Sequence, residues 1–275
     1  MRINTGIDEK LFKKINNLSN VITHNYEHLI EQLCILPNGR ILFTHYLENK
    51  TATRMIILDE NFRHVESYEY EFKVWNITTN NLDKLYISTI DGSDSIIMTD
   101  LNFKAIDTLK INVNMNKNDN EKIRKLCFKN NTLYMLDTAA KRLALLDDKL
   151  IYIDTQFIEH EHLFDMEVSK STVGLCTPDY IYFYSIDPFQ LMHTYRRDIC
   201  SISFFNSTFF LFNFGKNRFE MFNAKGEVIE MQVKNVILDK IFNKEYNKFR
   251  DVRIQYSSKY YLINHQNKIL EIRID

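Results

Sequence analysis

A chain of 275 residues, 45% apolar and 26% charged, is long enough to bury a sizeable core, and all-β folds of this size often form one domain. Its 35 lysines and arginines are matched by 36 aspartates and glutamates. A formal net charge of −1 excludes a global pull toward nucleic acid or a membrane surface, so any electrostatic function rests on how the charges are distributed.

Residues 1–10 lack the apolar core of a signal peptide, and no uninterrupted apolar run approaches the ~20 residues that span a bilayer. Cys34, Cys127, Cys176 and Cys200 form no C-x-x-C pair and read as small buried hydrophobes in a reducing compartment. The expectation is a soluble cytoplasmic protein, monomeric, with no membrane partner. The 20 Phe and 15 Tyr favour strands.

In chain order, residues 1–27 carry an apolar alternation through Ile15, Leu18, Val21 and Ile22. A first repeat follows, with strands predicted over 33–44, 54–59 and 64–70 and a Pro37-Asn38-Gly39 turn. The second covers 75–88, 95–100 and 105–111. The third is the clearest, Leu126 to Asp147 followed by 150–153. The fourth runs 166–176, 182–187 and 191–195, the fifth 202–212, 218–223 and 228–233, and the sixth 252–263 and 268–273.

The closing positions Asp59, Asp100, Asp147, Asp187, Asn223 and Arg273 lie 41, 47, 40, 36 and 50 residues apart. Periods of roughly 40–50 residues built from short strands point to propeller blades. A β-sandwich would not repeat one internal spacing six times. The predicted fold is therefore an all-β, six-bladed β-propeller of four-stranded antiparallel blades, with residues 1–275 forming a single domain. The sixth repeat supplies only three strands, and the segment around Ile15–Ile22 is the expected donor of the fourth, which removes an exposed edge. Stretches 112–121 and 234–249 read as connections between blades.

Three segments carry a family likeness: Leu36-Pro-Asn-Gly-Arg-Ile-Leu-Phe43, Leu133 to Asp147, and Lys216-Asn-Arg-Phe-Glu-Met-Phe-Asn-Ala-Lys-Gly-Glu-Val228. They resemble the NHL-repeat pattern, in which an apolar strand closes on Asp before a glycine turn. The chain departs from it in having only six glycines. The resemblance implies a non-enzymatic binding module of the kind found at the end of tripartite-motif ubiquitin ligases, recognising protein or RNA.

In such a fold, the loops entering the first strands and those joining second to third strands share one face. Sorting charges by loop places Arg54, Arg124, Lys141, Arg142, Arg196, Arg197, Arg218 and Lys268 there, with Tyr182 available for stacking. This is the expected ligand or RNA face, for a protein partner or single-stranded RNA. No catalytic residue, cofactor or metal is assigned, since G-x-S-x-G, P-loop and H-E-x-x-H motifs are absent from the sequence. The alternative is a calcium-dependent lactonase-type propeller, with Glu167 and Asn76 as its main inner-strand ligands. Glu159-His160-Glu161-His162 with Asp165 offers metal-ligand chemistry without a fixed third ligand, and Asp91–Ser95 reads as a tight turn.

Overall fold

A computed structural model of the chain describes residues 21–47, 52–90, 95–111, 123–196, 199–205, 208–213, 218–229, 253–256, 260–265 and 268–273. Every regular element among them is a strand. The predicted connections at 112–121 and 234–249, the 91–94 turn and residues 15–20 lie outside the described residues.

Strand β1 (Val21–Asn25) is followed by five four-stranded sheets and a three-stranded remainder. Sheet 1 holds β2 (Gln32–Ile35), β3 (Ile41–Tyr46), β4 (Thr53–Leu58) and β5 (His64–Tyr70). Sheet 2 holds β6 (Lys73–Thr79), β7 (Lys84–Ile90), β8 (Ser95–Asp100) and β9 (Ala105–Lys110). Sheet 3 holds β10 (Ile123–Lys129), β11 (Thr132–Asp137), β12 (Arg142–Leu146) and β13 (Tyr152–Phe157).

Sheet 4 holds β14 (Asp165–Val168), β15 (Thr172–Cys176), β16 (Tyr180–Ser185) and β17 (Gln190–Arg196). Sheet 5 holds β18 (Ile199–Phe205), β19 (Thr208–Asn213), β20 (Arg218–Asn223) and β21 (Val228–Ile229). Sheet 6 is β22 (Arg253–Tyr256), β23 (Tyr260–His265) and β24 (Lys268–Arg273), completed by β1, which pairs antiparallel with β24 from Val21↔Ile272 to Asn25↔Lys268. The donor strand expected around Ile15–Ile22 thus lies further along the chain, at 21–25. The first strands touch in a cycle, β2 to β6, β10, β14, β18 and β22 and back to β2.

The core lies between sheets. Cys34, Leu42, Met55 and Ile57 of sheet 1 pack on Val74, Ile77, Leu85 and Phe103 of sheet 2. Sheets 2 and 3, 3 and 4, and 4 and 5 repeat this arrangement, and Ile269 of sheet 6 enters the cluster of sheet 1. Sheets 1 to 4 bury both faces because each packs on a neighbour on both sides, which is why their inner strands are nearly continuous apolar runs.

The closing Asp or Asn of the repeat is a turn device. Oδ1 of Asp59 accepts from the backbone of Asn61 and Arg63, and Oδ1 of Asp100 from Asn102 and Lys104. Asp147 and Asn223 accept in the same way from Lys149 and Ile151 and from Lys225 and Glu227. Three residues past each acceptor the backbone is left-handed, at Phe62 (φ 62), Phe103 (φ 62), Leu150 (φ 65) and Gly226 (φ 78). This explains the scarcity of glycine. Burying a large side chain between sheets offsets the ~1 kcal/mol strain of the left-handed conformation.

The outer strands share a second device. The β4–β5, β8–β9, β12–β13 and β16–β17 ladders each skip one residue, at Val65, Ile106, Ile153 and Met192. All four skipped residues are exposed. Such bulges twist an edge away from pairing with another chain.

Candidate functional site

Three cations of the predicted basic face stand against carboxylates. Arg54 stands opposite Glu69 in the β4–β5 ladder, and its Nε donates to Glu69 Oε1 at 2.8 Å. Arg142 stands opposite Asp137, with Nε 2.9 Å from Oδ2 of a carboxylate that is 1% exposed. Lys141 Nζ lies 2.7 Å from Glu161 Oε1. Arg196 ends β17 opposite Tyr180, and Lys268 opens β24 half-buried. Arg124 and Arg218 sit on β10 and β20 with side chains outside the described set, and Arg197 is not described. The structure therefore brings these cations to strand ends, as the sequence implies, but gives three of them a carboxylate partner.

Beside Arg54, the ring of His45 is buried and stacks on His28 at 4.4 Å. Burial, then His28 and Arg54, push its pKa down to about 4.

An aromatic row runs inward along β16 of sheet 4, from the exposed Tyr180 to the buried Tyr184. Tyr180, Tyr182 and Tyr184 alternate along β16 and so share one side. His160 lies flat on Tyr182, with centroids 3.6 Å apart at 11°, and its Nε2 is 2.7 Å from the Tyr184 hydroxyl. Tyr180 continues the row at 6.0 Å and is exposed. Burial, then Tyr182 and Glu159, raise the Tyr184 hydroxyl to about 12.

The residues of Glu159–His162 and Asp165 go separate ways. His160 belongs to the row, Glu161 pairs with Lys141, and Asp165 turns inward to Lys125. No group of three His, Cys, Asp or Glu able to hold a metal is found among the described residues.

The feature not anticipated lies on the first strands. Aligned on their partners in the second strands, Gln32, Asn76, Lys125, Asp165, Ser201 and Arg253 occupy one register. Two residues on, Cys34, Thr78, Cys127, Glu167, Ser203 and Gln255 occupy the next. Between them stand Leu33, Ile77, Leu126, Met166, Ile202 and Ile254. The signal was present as polar-apolar-polar at the start of every repeat.

Six of these groups, Gln32, Asn76, Lys125, Asp165, Cys127 and Glu167, bond from one sheet to the next. Asn76 Nδ2 donates to Gln32 Oε1 at 3.1 Å, and Asn76 Oδ1 accepts from Leu126 N at 2.9 Å. Lys125 Nζ is 2.8 Å from Asp165 Oδ1, and Asp165 Oδ2 accepts from Ile202 N at 3.0 Å. The Cys127 thiol donates to Glu167 Oε1 at 3.1 Å. Burial raises the Glu167 carboxyl, with Lys125 opposing, and burial followed by Glu167 pushes the Cys127 thiol well up. Such thiols are poor nucleophiles. These bonds stitch sheets 1 to 5 together, while the buried Ser203 hydroxyl of the same register has no hydrogen-bond partner among the described residues.

No protein-family model matches the sequence, and no curated protein matches it. Solved structures do. The Swd1 β-propeller domain of Myceliophteria thermophila superposes with a TM-score of 0.59 at 12% identity, covering 90% of this chain and 84% of that one. The protein U3-55K gives 0.59 at 7% identity over 93% and 99%, and virginiamycin B lyase from Staphylococcus aureus 0.54 at 9% over 93% and 99%. At these identities the likeness shows the fold alone: the chain is a β-propeller.

Proposed function

We propose that the chain is a six-bladed, NHL-like binding propeller that holds a protein partner on the loop face around the Tyr180–Tyr182–His160 row and performs no chemistry of its own. Six four-stranded sheets with first strands in a cycle, the last completed by β1, support six blades. The repeated Asp or Asn turn supports the NHL likeness. The neighbours in fold include both a lyase and non-catalytic propellers, so the fold itself does not favour catalysis.

The observation that carries the choice of partner is the pairing of Arg54, Arg142 and Lys141 with Glu69, Asp137 and Glu161. Cations already matched by carboxylates offer little net charge to a phosphate backbone. The exposed Tyr180, backed by the half-buried Tyr182 and His160, suits a protein hot spot. Single-stranded RNA remains the second reading, favoured by Arg196 standing opposite the exposed Tyr180.

A photo-crosslinking amino acid placed at Tyr180, with Val65 on the outer edge as control, tests this in the native cell. Protein adducts at position 180 alone are expected. RNA adducts there would select the second reading, and equal capture at both positions would remove this face as the site.

A further inference from the structure

We infer that the partner on this face is a basic protein segment, with an arginine laid flat on Tyr180 beside the carboxylate of Asp179. This rests on the reading of the Tyr180–Tyr182–His160 row as the binding site and adds the chemistry of its occupant. Tyr180 is the exposed ring of the row (37%), at the start of β16, and Asp179 precedes it in an exposed loop. Tyr182 is covered by His160, and Tyr184 is buried. Phe157 ends β13 three residues before His160 and is 79% exposed, a second open ring at this end of sheet 3.

The charges around the row sort into matched and unmatched. Lys141 is taken by Glu161 and Arg142 by Asp137. Asp179 and Glu159 are exposed, and neither has an ion-pair partner among the described residues. Both act on the row. Burial, then Tyr180 and Asp179, raise the Tyr182 hydroxyl, with Thr177 opposing. Burial holds the His160 ring down and Glu159 opposes it, while Glu159 adds to the rise at Tyr184. No lysine or arginine offsets the two carboxylates at any of these three groups. Arg196 stands opposite Tyr180 in the ladder. Counted with it, two carboxylates against one guanidinium still leave the row one negative charge in excess. That excess repels a phosphate backbone and draws in a cation. A guanidinium fits best, because it is planar and weakly hydrated, stacks on an aromatic face and still offers paired N–H donors to a carboxylate beside the ring. A lysine ammonium matches the charge but not the plane.

A fluorescein-labelled arginine–glycine repeat peptide tests this, its binding to the full chain followed by fluorescence anisotropy at low and at physiological salt. The same peptide with citrulline for arginine keeps the shape and loses the charge, and a lysine version keeps the charge and loses the plane. Affinity should fall in the order arginine, lysine, citrulline. Tyr180→Ala should weaken binding of the arginine peptide about fivefold. Asp179→Asn together with Glu159→Gln should weaken it by about as much and flatten its salt dependence. No binding of the arginine peptide, equal binding of the citrulline peptide, or unchanged binding by the doubly substituted protein would overturn the inference. Protein crosslinks at position 180 that persist in such a case would leave the row as a binding site with a different occupant, whereas their loss would remove the site itself.

Discussion

The interface between sheets 2 and 3 and that between sheets 4 and 5 solve the same packing problem with opposite residues. In sheet 2, Tyr86 stands opposite Met98, and the left-handed turn residue of sheet 3, Leu150, joins them in one buried cluster. The equivalent trio one interface pair later is Gly174 opposite Phe183, with Gly226 at the turn of sheet 5. Three side chains fill the first space. In the second, Phe183 fills it with Ile202 reaching over Gly174, and the ring packs on Phe209 and Phe222 at 5.1 Å each. A Cβ on Gly174 would lie 2.6 Å from Ile202 Cδ1 and 3.2 Å from Phe183, and one on Gly226 would collide with the Phe183 ring. At these two seams one ring between two glycines stands where three side chains stand, so the repeat keeps the register without keeping residue identity or volume.

The largest effect that would break this comparison is Phe183→Ala. With glycine at both neighbouring positions, neither neighbour can relax into the space, so the loss should reach about 4 kcal/mol. Met98→Ala, with Tyr86 and Leu150 free to close in, should cost nearer 2 kcal/mol. Urea unfolding of the two variants checks the ranking, and equal losses would mean that the seams are not filled as described.

Next in size is Gly226→Ala. The new Cβ meets the Phe183 ring and must adopt a left-handed backbone, for a combined cost of about 2–3 kcal/mol. Shrinking the ring should return part of it, so Phe183→Leu and Gly226→Ala together should be less destabilising than the sum of the single changes. Additive effects would show that the cost lies in the backbone alone.

That exchange of residues is also where sequence reasoning reached its limit. The spacing of Asp59, Asp100, Asp147 and Asn223 was legible because each of these turns takes an acceptor at the same place, whereas in sheet 4 the register puts Ser185 there rather than Asp187, and Arg273 has no acceptor to offer. Phe62, Phe103 and Leu150 at left-handed positions were not, since glycine is the residue that conformation normally selects. The closing strand was expected a few residues early, meeting β1 at Val21 and Ile22, for a related reason. An apolar alternation pointed to Ile15–Ile22, while β1 turns His24 toward a buried carboxylate and so does not read as apolar.

On the loop face, the cations were legible but their partners were not. Glu69 and Asp137 become neighbours of Arg54 and Arg142 only through strand register. The belt on the first strands went unread because polar residues inside a repeat look like surface, and only the cycle of sheets turns that register inward.

The turns differ between the two seams as well. Asn223→Ala removes an acceptor for two backbone N–H groups but leaves Gly226, which accepts a left-handed backbone without strain. The loss should be about 1 kcal/mol. Asp147→Ala in sheet 3 removes the same two bonds while Leu150 must still hold φ 65, so it should lower the melting temperature further. The reverse order would mean that side-chain burial, not the acceptor, fixes the turn.

The smallest expected effect separates the polar belt from the apolar seams. Burial raises the Glu167 carboxyl above the ordinary range, so the folded protein holds that proton more tightly than the unfolded chain does. Stability from this group is therefore present at low pH and falls as pH rises from about 4.5 through the folded value. Lys125 opposes the shift, which keeps the effect small. Glu167→Gln still offers an oxygen to the Cys127 thiol but has no proton to lose. The variant should match wild type near pH 4.5 and melt slightly higher at pH 8, a difference of less than about 1 kcal/mol. Phe183→Ala, which touches only apolar contacts, should shift the melting temperature equally at both pH values. If Glu167→Gln instead lowers stability at pH 8, the ionised carboxylate is a net contributor there, and the Lys125 ammonium outweighs the cost of burying it.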